Sequence, residues 1–116
     1  MPRLHLHALA ALAALAVALP AAAADAKKPG RTVQVTVTED GWVPDRIEAR
    51  KGEPLTLVVT RKTDRTCATE LVVKAYGIHQ PLPLGKAVSV TLTPTAAGQV
   101  RFACAMDMIA GTLVVQ

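Results

Sequence analysis

Histidine and aromatic residues are scarce in this chain of 116 residues, which holds three His, one Trp, one Tyr and one Phe. Two of the histidines, His5 and His7, fall at the extreme N-terminus, so His79 stands alone in the body of the chain. A single histidine within the Pro-rich "GIHQPLP" gives no support to a Ser/His or Cys/His nucleophile pair. It reads as an exposed loop residue. No Gly-rich phosphate loop follows a strand pattern, no G-x-S-x-G occurs, and the carboxylates are few and dispersed. An enzyme is therefore not expected. Lysine and arginine outnumber aspartate and glutamate by 13 to 9, but they are scattered and lack the interleaved aromatics of a nucleic-acid surface. Nucleic acid is excluded as a partner. Cysteine is limited to Cys67 and Cys104, with no C-x-x-C and no helix start to activate a thiol. That argues against a dithiol oxidoreductase.

Long apolar runs are confined to the N-terminus. "MPRLHLH" gives a short basic start, and Ala8 to Leu19 form an apolar run too short to cross a bilayer as a mature helix. Pro20 breaks the run, and Ala22-Ala23-Ala24 makes a small-x-small cleavage pattern before Asp25. Residues 1–24 are expected to be a signal peptide and residues 25–30, with Lys-Lys-Pro-Gly, a flexible leader. The expected location is periplasmic or secreted, with no membrane span after cleavage. Residues 25–116 would remain, roughly 90 residues, near the lower end of what folds alone as one domain.

Beyond the leader the chain is strand-like throughout. "TVQVTVT" (Thr32 to Thr38) alternates, with Val33, Val35 and Val37 on one face. "RIEAR", "LTLVVTR", "ELVVKAYG", "AVSVTLT", "QVRFAC" and "GTLVVQ" read as further strands, and "EDGWVPDR", "KGEP" and "PTAAG" as turns. "GIHQPLPLGK", with its prolines and glycines, is unsuited to a central strand and reads as a crossing connection. About seven strands with regular turn signals predict an all-β, two-sheet sandwich over residues 31–116.

Sulfur supplies the distinctive chemistry. Val100, Phe102 and Cys104 share one face by the strand period, and that face is apolar, so Cys104 is directed towards the core at one end of the sandwich. Met106 and Met108 come next, in a loop that must return by Gly111. A thiolate and thioethers from one hairpin are soft donors that select Cu(I) over hard cations. The same methionines are equally suited to filling the sandwich end.

The segment "FACAMDMIAGTLVV", preceded by "PLPLGKAVSVTLTPTAAGQV", resembles the C-terminal half of a cupredoxin, closest to the EfeO-type cupredoxin-like domains of exported bacterial proteins. "WVPDRIEARKGEPLTLVVTRKTDRTCATELVV" resembles the N-terminal half, so the likeness covers nearly all of residues 31–116. It implies a Greek-key β-sandwich with copper at one end and a Cys–loop–Met ligand segment near the last hairpin. Blue-copper members use two histidines beside the cysteine and a long axial methionine. The corresponding places here hold the Cys67-Ala68-Thr69-Glu70 segment and the Met106-Asp107 pair, so an ordinary blue-copper centre cannot be assembled.

The resemblance puts Cys67 near the first ligand position. Cys67, Cys104 and Met108 then form a Cu(I) set, with Met106 as the alternative thioether. Glu70 is either an oxygen ligand, a neighbouring acceptor or plain surface charge. The partners implied are a copper ion and a redox or copper-transfer protein. The competing reading is a metal-free structural module in which a Cys67–Cys104 disulfide contributes about 3–4 kcal/mol by constraining the unfolded chain.

Overall fold

The computed structural model describes residues 30–116 together with Ala14. The signal peptide expected over 1–24 and the leader over 25–30 otherwise lie outside the described residues. The strands are, in order, β1 (Arg31–Thr38), β2 (Gly41–Val43), β3 (Arg46–Ala49), β4 (Leu55–Arg61), β5 (Glu70–Val73), β6 (Ile78–Pro81), β7 (Ala87–Leu92), β8 (Gly98–Ala103) and β9 (Ala110–Val115). They form two sheets, one ordered β2-β1-β4-β7 and the other β3-β9-β8-β5-β6. The chain passes repeatedly from one sheet to the other, pairing β1 with β4 and β3 with β9 in parallel and the remaining neighbours antiparallel. This is a Greek-key β-sandwich, as the sequence predicts.

The core arises from strand alternation. Val35 and Val37 of β1 and Leu55, Leu57 and Val59 of β4 are buried from one sheet. Leu71, Val73, Phe102, Leu113 and Val115 meet them from the other. Each such side chain contributes about 1.5–3 kcal/mol when taken out of water.

The sequence suggests about seven strands, and the two additional ones are both edges. β2 is only three residues long and bracketed by Gly41 and Pro44, so its turn signals mask its pairing with β1. β6 occupies the stretch read as a crossing connection, and His79 therefore lies on a strand and not in a loop. Pro81 is tolerated there because an edge strand leaves its missing N–H without a ladder partner to disappoint. "ELVVKAYG" also divides. β5 stops at Val73, and a 3-10 turn over Lys74–Tyr76 ends on Gly77 at φ 63°, which returns the chain into β6.

Backbone bonds define the two ends of the sandwich. At one end Lys62 donates to the Val37 carbonyl, Gly85 to Arg61 and Leu82 to Thr69. The β4–β5 loop and the β8–β9 loop meet at that end. At the other, Gly52 donates to Pro94 and Lys51 to Gln116.

Candidate metal centre

Cys67 lies in the β4–β5 loop, which is held by its own hydroxyls. Thr63 Oγ1 accepts from the Arg65 amide and Thr66 Oγ1 from the Ala68 amide, both at 3.0 Å. These are the short side-chain turns that Ser and Thr favour. The Arg61 guanidinium ties the loop base down, donating to the Leu82 carbonyl at 2.8 Å and the Thr63 carbonyl at 3.1 Å. Ala68 is fully buried beside it, and Cys67 is left half-buried.

Cys104 immediately follows β8 and is 2% exposed, in line with Phe102 beneath it. The return loop wraps around it. The Cys104 amide donates to the Ile109 carbonyl at 3.0 Å, and the Asp107 amide to the Cys104 carbonyl at 2.9 Å. The Met108 and Ile109 amides then both donate to Cys104 Sγ, at 3.3 and 3.4 Å.

The two sulfurs stand 3.4 Å apart. A disulfide bond is about 2.05 Å long, so these are two free thiols in contact. Their environments divide them. Burial pushes the Cys67 thiol up, and its hydrogen bond to Cys104 and the charge there push it further. Burial pushes Cys104 up as well, but the Ile109 amide, the Cys67 thiol and the Met108 and Met106 amides outweigh it and hold Cys104 below its ordinary value. Cys104 is therefore the more acidic thiol of the pair, and Cys67 the one that holds its proton more firmly.

Met106 and Met108 are 73% and 72% exposed. They do not fill the sandwich end, and the packing alternative is overturned. Glu70 opens β5, where its carboxylate engages His79 across the β5–β6 pair. Among the described residues no three of the His, Cys, Asp and Glu side chains gather as a metal cage. Glu70 is thus not brought together with the two sulfurs, and the soft donors nearest in sequence are the methionines.

Three further residues shape the site without standing out in the sequence. Trp42 Nε1 donates to the Ile109 carbonyl at 3.1 Å, while its ring meets Phe102 edge-on with centroids 5.5 Å apart. Arg101 and Asp107, three positions either side of Cys104, form an ion pair at 2.9 Å. That symmetric spacing was the available signal.

Fold and site together define a β-sandwich with a pair of thiols in contact at the loop end. A model of the cupredoxin-like domain family matches residues 7–115, and the chain belongs to that family. A search of curated proteins found no match. Among solved structures, the chain is similar to one described as a copper binding protein in the apo form, determined in solution. The two are 34% identical with a TM-score of 0.70, over 78% of this chain and 93% of that one. It is also similar to the metal-binding domain of the Cu(I)-exporting P-type ATPase CopA of Streptococcus pneumoniae D39, solved with Cu(I). That match is 23% identical with a TM-score of 0.70, over 78% of this chain and 98% of that one. The periplasmic domain of cytochrome oxidase subunit II from Bradyrhizobium japonicum shares the fold at 11% identity and a TM-score of 0.60, over 73% and 83% of the two chains.

Proposed function

We propose that this chain is an exported, non-enzymatic copper protein that holds one copper as Cu(I) through Cys67, Cys104 and a thioether, Met108 before Met106. The observation that carries this is the pair of free thiols 3.4 Å apart at the loop end. Two soft sulfurs in contact suit Cu(I), whereas Zn²⁺ sites call for four donors and Ca²⁺ or Mg²⁺ for oxygens. The exposed methionines beside Cys104 suit the same ion, and a disulfide would give them no purpose. The cupredoxin-like fold and the copper-binding neighbour at 34% identity support a copper-binding or copper-handling role. Export rests on the N-terminal sequence, and the EfeO-type likeness on the C-terminal motif.

A soft, His-poor site favours copper handling, with delivery to a protein partner, over electron transfer. His79, the one histidine among the described residues, is engaged by Glu70, which leaves Cu(II) no free imidazole there. The test is a competition titration of the reduced protein against a Cu(I) chelator, with thiols counted before and after. We expect one Cu(I) per chain and far weaker Zn²⁺ binding. Cys104→Ser abolishes tight binding, and Met108→Leu weakens it without lowering Tm, since that side chain is exposed. Failure of the reduced protein to retain copper, with the thiols recovered as a disulfide from fresh material, would establish the structural module instead.

A further inference from the structure

We propose that Arg101 and Asp107 are positioning residues for the Cys104 sulfur, their ion pair holding residues 104–109 in the conformation that aims two amides at Sγ. The metal consequence rests on the copper reading above. Asp107 is the only non-glycine residue with a positive φ among the described residues, at 59°. That left-handed conformation is uncommon outside glycine, although Asp and Asn tolerate it better than other side chains. It is also what the loop requires. With Asp107 turned this way, its own amide reaches back to the Cys104 carbonyl, and the next two amides fall on Cys104 Sγ.

Arg101 fixes Asp107 at two points. Its Nε donates to Asp107 Oδ1 at 2.9 Å, and a terminal nitrogen donates to the Asp107 carbonyl at 3.4 Å. The guanidinium thus grips both side chain and backbone. Arg101 stands on β8 opposite Thr112 of β9, in the ladder that leads to the loop. The inner side of the loop has a separate anchor, the Trp42 indole on the Ile109 carbonyl. Among the described residues the outer side borders a cavity instead, of about 50 Å³, which Arg101 and Asp107 line with Val72, Lys74, Ala103 and Cys104. The ion pair is what closes the loop from outside.

Both side chains are more than half exposed, and an exposed ion pair adds little to global stability. Loss of the grip should therefore alter the site while leaving the fold intact. Partners of this kind, one step removed from the metal, typically shift affinity by 10–100-fold.

The experiment compares wild type, Arg101→Ala, Asp107→Ala and Asp107→Asn as reduced full-length mature protein. Amide hydrogen exchange at Met108 and Ile109 is read without metal, and Cu(I) affinity by chelator competition, with Tm as the control. Both alanine variants are expected to exchange these amides several-fold faster and to bind Cu(I) about tenfold more weakly at nearly unchanged Tm. Asp107→Asn keeps an acceptor oxygen and the left-handed tolerance, and restores most of both. Unchanged exchange in the alanine variants overturns the proposal, as does faster exchange with wild-type affinity. A wild type that retains no Cu(I) instead defeats the copper reading, a separate result because the exchange arm needs no copper.

Discussion

Two thiols of the same intrinsic acidity are held 3.4 Å apart with their acidities shifted in opposite directions. Cys104 collects amide donors and keeps a lowered pKa, whereas Cys67, half-buried and donating to the Cys104 sulfur, keeps a raised one. Copper must displace whatever protons its ligands carry. If Cys67 and Cys104 hold Cu(I) as proposed, uptake below the raised pKa of Cys67 expels its proton, and apparent affinity should rise with pH by up to about tenfold per unit. Below the lowered pKa of Cys104 a second proton must leave and the slope steepens towards twice that value. Above the raised pKa of Cys67 it flattens. Competition titrations at a series of pH values check this, and Cys67→Ser should remove the step assigned to Cys67. An affinity independent of pH near neutrality would mean that Cys67 is no ligand. The cysteines and methionines themselves were legible in the sequence because soft donors so close together are unusual. The engagement of Glu70 was not, since its partner His79 reaches it only once β6 is recognised as a strand.

Among the elements, the β8–β9 hairpin carries both the sulfur and its support, and Gly111 is where it tolerates least. A Cβ at Gly111 would lie 2.2 Å from Phe102 Cζ and 2.7 Å from the Asp45 carbonyl oxygen. Neither can yield easily. Phe102 is buried against Trp42, and the Asp45 carbonyl accepts the Thr112 amide at 2.8 Å. Gly111→Ala should cost about 2–3 kcal/mol, in the range of overpacked cores. Thermal unfolding would show this as a Tm lower by roughly 10–20 °C for a domain of this size. A Tm within a few degrees of wild type would mean that the ring and β3 move aside freely. The displacement of Phe102 also disturbs Trp42, which holds Ile109, so the variant should lose copper affinity along with stability. Apolar patterning bounded by turn residues made β1, β3, β4, β5, β7, β8 and β9 legible, with strict alternation clearest in β1 and β7. β2 and β6 escaped because Gly41 and Pro44, and Gly77 and Pro81, lie in or beside them and read as turn and connection signals. The left-handed turn at Asp107 escaped for a different reason: it depends on a grip from Arg101 that only the folded hairpin supplies.

For the molecule as a whole, Cys67 precedes β5 and Cys104 follows β8, so whatever joins them links two loops at one end of the sandwich. The core is already extensive without that link, with nonpolar side chains from both sheets buried at its centre. The reduced protein should therefore be folded before any metal arrives. Copper bound by the folded pair but not by isolated thiols stabilises by mass action, about 2.7 kcal/mol when free ligand is one hundred times Kd. That corresponds to a Tm rise of roughly 10–20 °C in a domain of under a hundred residues. Thiols of the unfolded chain also bind Cu(I), which makes this an upper value. A disulfide has the opposite signature, because the link forms on oxidation and owes nothing to copper. Scanning calorimetry of the reduced protein with and without Cu(I), beside the oxidised protein, separates the two. The copper reading expects a rise with Cu(I) in the reduced form, no rise in Cys104→Ser, and an oxidised form indifferent to the metal. A reduced form equally indifferent to Cu(I), with oxidation alone raising Tm, would make the sulfur pair a staple and leave Met106 and Met108 as surface residues without a ligand.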